Sequence, residues 1–227
     1  MIRLQKKLCA FVPSMCCLSL LVFAIGCGGS STKIRLVNAS PDESSLDLLV
    51  DSKTVASSVT YATASAYQGV SSGSRHLQVE PTGSTTPVID ETISLNSGTY
   101  TLLATGFIND VVPVLLTDDN SAPSSGDVKV RIVNAAPGLG SADVYFVAPG
   151  TDLSTTSPTV ASLAVNAASA YQSVAAGNYE VFFTLPGQKF VYIDSGSLNL
   201  SASQIRTVMG LNSPTGGFTS AVLSDAN

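Results

Sequence analysis

The sequence predicts an all-β protein built from two tandem antiparallel β-sandwiches. Three observations point there. Apolar residues alternate with polar ones in short runs bounded by Ser, Asn, Asp, Pro and Gly, and no run carries a helical stripe. A block of the chain recurs further along. Charged residues make up only 12% and Trp is absent, while Ser, Thr, Ala, Gly and Val dominate, a composition of extracellular β proteins more than of cytosolic domains.

The first element is a leader. Arg3, Lys6 and Lys7 precede a mostly apolar stretch from Leu8 to Gly26 without an acidic residue, the order of a secretory signal. The stretch is about long enough to cross a bilayer, so an uncleaved anchor competes, although Pro13, Ser14 and Ser19 weaken a stable span. Ala24-Ile25-Gly26-Cys27 resembles the lipobox of bacterial lipoproteins. That resemblance implies cleavage after residue 26 and diacylglycerol on the Cys27 thiol, with further acylation of the freed amine for stable anchoring. Residues 1–26 are therefore read as signal peptide and 27–32 as a flexible tether. Gly28, where inner-membrane lipoproteins carry Asp, implies the outer membrane in a Gram-negative cell.

Cys9, Cys16 and Cys17 leave with the leader, so the expected mature chain has one cysteine, occupied by lipid, and no disulfide or thiolate metal site. Cleavage also removes three basic groups and no acidic one, moving the formal charge from -5 to -8. An anionic surface repels nucleic acid, which needs a cationic face to release its counterions, and excludes that class of partner.

The repeat comes next. Lys33-Ile-Arg-Leu-Val-Asn-Ala-Ser-Pro41 returns as Lys129-Val-Arg-Ile-Val-Asn-Ala-Ala-Pro137, and Ala64-Ser-Ala-Tyr-Gln-Gly-Val70 returns as Ala168-Ser-Ala-Tyr-Gln-Ser-Val174. The offset grows from 96 to 104 across a longer loop in the second copy. Residues 33–116 and 128–227 are the two expected sandwiches, joined by a polar, turn-rich linker over 117–127. In each first strand Ile34 and Leu36, or Val130 and Ile132, are expected inside. Lys33 and Arg35, or Lys129 and Arg131, are expected outside. In the next strands Leu46, Leu48 and Val50 share a face, as do Ala142, Val144 and Phe146. Seven or eight short strands per copy would form each sandwich.

The V-N-A-[SA]-P block, the Asp flanked by apolar residues in Ser45–Val50 and Ser141–Phe146, and the A-Y-Q-x-V block resemble the family called domain of unknown function 4397. The resemblance covers both copies and implies surface proteins with tandem Ig-like β modules and no established reaction. Many members carry His where Asn38 and Asn134 stand, which argues against imidazole chemistry there.

Chemistry is sparse. His76 is the single histidine; with Asp90 or Asp47 it could activate a serine, but the one Gly-x-Ser-x-Gly run, Gly69–Gly73, leads into no helical stripe that would make it a nucleophile elbow, and alternation puts His76 on a polar face. Asp118-Asp119-Asn120 offers oxygen ligands, yet its spacing is not that of an EF-hand and a solvated linker is the simpler reading. Asp47 and Asp143, kept in both copies beside Asn38 and Asn134, are read as caps of backbone groups before ligands of a cation. No catalytic residue, metal or cofactor is expected. Tyr67 and Tyr171 could anchor a partner or tie a corner of the fold, the corner being preferred. In Tyr179–Leu185 alternation turns Tyr179, Val181 and Phe183 inward and Phe182 outward, so Phe182 with Tyr192 is the expected contact patch. The expected function is a non-catalytic, lipid-anchored envelope protein that binds an envelope protein or glycan, or spaces another component from the membrane. The alternatives are a subunit of an envelope assembly using strand edges and, less favoured, an envelope hydrolase.

Overall fold

The computed structural model describes residues 32–226. The expected signal peptide, Cys27 and all but the last residue of the tether lie outside them. Thr32, assigned to the tether, is the buried first residue of a strand.

Eight strands make the first unit: β1 (Thr32–Ala39), β2 (Ser45–Val50), β3 (Lys53–Thr60), β4 (Gln68–Val70), β5 (Gly73–Pro81), β6 (Ile89–Leu95), β7 (Gly98–Thr105) and β8 (Val112–Asp118). They form an inner sheet ordered β4-β1-β7-β8 and an outer sheet ordered β3-β2-β5-β6. The second unit repeats this plan with β9 (Asp127–Ala135), β10 (Ala142–Val147), β11 (Val160–Leu163), β12 (Ala167–Ala168), β13 (Gln172–Ala175), β14 (Gly177–Thr184), β15 (Val191–Asp194), β16 (Leu198–Leu200), β17 (Ile205–Asn212) and β18 (Phe218–Ala226). Its inner sheet runs β12-β9-β17-β18 with β13 also on β9, and its outer sheet runs β11-β10-β14-β15 with β16 on β14. The all-β, two-sandwich expectation holds. One pair per unit is parallel, β1 with β7 and β9 with β17.

Each sandwich closes over its own core. Ile34, Leu36, Leu46, Leu48 and Leu77 fill the first, and Val130, Ile132, Val144, Val181 and Phe183 the second, as alternation predicts. A third core joins the units: Val37, Ala39 and Leu103 from the first inner sheet meet Val133, Ala135, Met209, Leu211 and Leu223 from the second. The two inner sheets are therefore covered on both faces, and β1 and β9 are buried along almost their whole length, the pattern of a strand with no solvent face. The molecule is a stack of four sheets.

The structure corrects two expectations. Arg35, Lys129 and Arg131 are not on a wet face; they are 1%, 7% and 2% exposed, the two arginines because the other unit covers them and Lys129 because Asp119 and Ser121 of the linker hold its ammonium over the Tyr171 ring. The linker is shorter than 117–127, since Thr117 and Asp118 complete β8 and Asp127 opens β9.

The strands also give the body two ends. Thr32, Asp118, Asp127 and Ala226 lie at one end: Lys33 pairs with Thr99 and Thr99 with Asp118, Lys129 with Ile205 and Ile205 with Ala226, and the Arg35–Asp225 and Arg131–Asp118 bridges bring the two sets together. Thr105, Val112, Asn212 and Phe218 mark the other.

Candidate contact surface and the residues shared by the repeats

The residues shared by both repeats serve the fold. Asn38, fully buried, donates through Nδ2 to the carbonyls of Glu43 (3.0 Å) and Val59 (3.2 Å), while its Oδ1 accepts from the Ser40 amide (3.1 Å). Asn134 makes the same three bonds, to Gly140, Leu163 and Ala136. With donors and acceptor all engaged, each ties the end of the first strand to the following turn and to the edge strand. Asp47 accepts from the Ser58 amide at 2.7 Å and Asp143 from the Ser162 amide at 2.7 Å. Both serines have positive φ (53° and 49°), a backbone state costly for a residue with a Cβ, and the carboxylate holds it. The aspartates cap edge-strand bulges, in line with the capping expectation.

A-S-A-Y-Q feeds a larger network. Ser65 Oγ accepts from the Leu36 amide and Ser169 Oγ from that of Ile132, both at 3.0 Å, fixing this segment beside the first strand. The next tyrosine then lies over an arginine: the Arg35 guanidinium is 4.6 Å from the Tyr67 ring centre and that of Arg131 is 4.7 Å from Tyr171. Tyr67 donates to Asp118 (2.7 Å) and Tyr171 to Asp225 (2.8 Å). Thr101 and Thr207 accept from the arginine Nε of their own unit and donate to the aspartate of that unit, at 2.6 and 2.7 Å.

The arginines cross over. Arg35 of the first unit pairs with Asp225 of the second, and Arg131 of the second with Asp118 of the first (2.8 Å). All four side chains are at most 3% exposed, and two positive charges face two negative ones, so the buried cluster is neutral. Burial, with Asp118 or Asp225 as hydrogen-bond acceptor, pushes the Tyr67 and Tyr171 hydroxyls well above the usual tyrosine range, against the pull of the arginines. Tyr61 reaches across the same interface to the carbonyl of Asn212, and burial pushes it up to about 12. The tyrosines are thus bound into the interface between units, neither corner nor free anchor.

The other candidates are plainer. His76 Nε2 lies 2.5 Å from Asp90 Oδ1 on the exposed outer face, with 40% and 53% of the side chains accessible. Of the Asp118-Asp119-Asn120 run, Asp118 is spent in the network and Asp119 pairs with Lys129 at 2.7 Å, which with Ser121 holds its carboxyl down to about 2. Among the described residues no group of three or more His, Cys, Asp or Glu could hold a metal ion. An open groove of about 430 Å³ between β3 and residues 63–68 is lined mainly by small side chains, Ser57, Ser58, Thr63 and Ser65 among them.

The aromatic surface lies on the second unit. Phe182 points to the outer face and is half-buried, paired across the sheet with Tyr145 and Asp194. Tyr145 on that face is only 1% exposed; Lys189 stands 4.8 Å over its ring and donates to its hydroxyl (3.0 Å) and to the carbonyl of Thr156 (2.5 Å), pinning the longer loop of the second repeat there. Tyr192 stacks edge-on with Phe190 (5.0 Å) and Phe218 (6.1 Å). Phe190 is 68% exposed and Tyr192 37%. This ridge spans the side of the sandwich between β15 and β18. Phe218 escaped the sequence reading because nothing in the chain announces that β18 passes beside β15.

Residues 32–145 match the family described as domain of unknown function (DUF4397), and the chain belongs to that family. The match spans the first unit and continues into β10. No curated protein matches the chain. Solved structures similar to it include the carbohydrate-binding module CBMbc (family CBM26) of Eubacterium rectale Amy13K in complex with maltoheptaose, at 14% identity and a TM-score of 0.26 over 86% of this chain and 97% of that one. A leucine-rich repeat protein of Bacteroides thetaiotaomicron VPI-5482 is 12% identical, with a TM-score of 0.21 over 78% of this chain and 25% of that one. Neither score carries a fold or ligand argument.

Proposed function

We propose that this chain is a non-catalytic, lipid-anchored protein of the cell envelope, whose two fused sandwiches hold a contact surface away from the membrane. The polarity of the body carries the reading. β1 starts five residues after Cys27, at the end shared by Asp118, Asp127 and Ala226, whereas the Phe190, Tyr192 and Phe218 ridge lies towards the other end of β18. The nine residues of β18 span eight steps, about 26 Å at roughly 3.3 Å per residue. A spacer must not bend at its joint, and the third core and the crossed ion pairs resist bending. Exposed ring faces suit the apolar face of a sugar or an apolar side chain, so an envelope glycan or protein is the expected partner. Gly28 favours the outer membrane in a Gram-negative host.

Labelled palmitate should enter the wild-type chain and not Cys27→Ala; label that persists in the variant removes the anchor. Binding to envelope glycans or captured envelope proteins should fall on Phe190→Ala and Tyr192→Ala, and unchanged binding removes the ridge. Assembly through a strand edge stays as the second reading because one edge, that of β18, differs from the rest.

A further inference from the structure

An edge strand offers a row of main-chain donors and acceptors to any other chain, and β proteins blunt such edges with bulges, charges, proline or brevity. Most edges here are blunted. β3 has two register shifts against β2, and Asp47 takes its Ser58 amide. β11, four residues long, is shifted against β10 and loses its Ser162 amide to Asp143. β4, β12 and β13 have three, two and four residues. β6 carries Asp90 and Glu91, β8 carries Pro113, and Ser195-Gly196-Ser197 separates β15 from β16.

β18 is different. It is nine residues long and pairs on one side, with β17. Its register is unbroken from Phe218 to Ser224, and its one shift comes beyond that stretch, at Asp225. That stretch, Phe-Thr-Ser-Ala-Val-Leu-Ser, contains no charge, proline or glycine. Val222, at the midpoint of the strand, is 42% exposed.

The strand also complements itself. Laid antiparallel about Val222, Ser220 faces Ser224, Ala221 faces Leu223, and Val222 meets its own copy; the register shift at Asp225, whose carboxylate is spent in the joint, ends the pairing there. Each of these pairs is apolar or joins two serines, and no charge enters the paired stretch. We propose that β18 is a homotypic docking edge through which two copies of this chain pair antiparallel, extending the second unit's inner sheet across a two-fold axis. The axis closes the assembly at a dimer, because each copy uses its one β18 edge on the other. Pairing sets the two Thr32 ends at opposite poles, so the dimer joins copies on facing surfaces or copies free of lipid. The proposal does not depend on the lipid, and of the ridge only Phe218 lies on β18, outside the paired stretch.

The test uses residues 27–227 with Cys27→Ala, which keeps every described residue and leaves no thiol. Sedimentation equilibrium into the hundreds of micromolar should show a monomer–dimer equilibrium. Val222→Cys should give a disulfide-linked dimer on mild oxidation, while Val112→Cys, comparably exposed on the proline-bearing edge, should stay monomeric. Val222→Lys, which places two ammonium groups face to face, should weaken the dimer at least tenfold with unchanged far-UV circular dichroism. A monomer at all concentrations overturns the proposal. So does cross-linking as efficient at position 112 as at 222, or a strand from another protein captured on β18 without self-association. Should Val222→Lys unfold, the paired cysteine variants decide alone.

Discussion

The two sandwiches place the same Arg, Tyr, Thr and Asp at the face they share and the same Asn and Asp at their turns, and diverge in core packing and outer face. In the first unit Val79 and Ala104 sit in the core; in the second, Phe183 and Gly210 occupy the matching places, opposite Leu48 or Val144 and beside Asn38 or Asn134. The swap is compensated. A Cβ on Gly210 would stand 2.9 Å from Ile193 and 3.0 Å from the Phe183 ring, so the larger phenyl is accommodated by a missing methyl. The outer faces differ too: Leu49, Gln78, His76 and Asp90 in one, Tyr145 and Phe182 in the other. What both units keep is joint and turn; what only the second has is a cluster of stacked, exposed rings, where the first exposes Phe107 alone, and contact with other molecules is better sought there.

The comparison can be broken at the joint first. Arg35→Ala and Arg131→Ala should each cost about 3–5 kcal/mol, because each leaves a buried aspartate without its partner. Urea unfolding of the pair checks the pseudo-symmetry: one silent arginine would mean that the two crossed bridges are not equivalent. The cores come second. Gly210→Ala should destabilise by about 1–3 kcal/mol through overpacking, and Gly210→Ala with Phe183→Val, which installs the first unit's pair, should lose less than the sum of the single changes. Strict additivity would show that the two positions do not compensate.

Alkaline pH gives a smaller and more graded effect. Tyr61 has its hydroxyl raised from an ordinary value near 10 to about 12 in the folded chain. Between those values the unfolded state has already released the proton that the folded state keeps. Stability should therefore be full below about pH 10 and decline as pH rises through about 12. Tyr67 and Tyr171, shifted in the same direction, add to the decline. Urea midpoints across this range should flatten in Tyr61→Phe; an unchanged slope would assign the loss to other groups. The smallest effect belongs to the ridge. Tyr192→Ala should leave stability within about 0.5 kcal/mol, since an exposed ring supports little packing. A larger loss would make the ridge part of the fold and weaken its case as a contact surface.

Much of this was legible in the chain. Alternation placed Ile34, Leu36, Leu48, Val144, Val181 and Phe183 inside, because a side chain's face on a strand follows from its parity alone. The repeat identified two units, and the short polar reach of Asn38, Asn134, Asp47 and Asp143 marked them as caps, since such groups bond backbone within their own turn. Parity could say that Arg35, Val37 and Leu103 leave the first core, but not where they arrive. That depends on Asp225, which lies 190 residues from Arg35 in sequence, and on Met209 and Leu211 of the other unit. Local sequence determined the strands, the two cores and the turn chemistry. Only the tertiary structure decided that the outward faces of the two inner sheets meet, because a face is wet or dry according to what distant segment covers it.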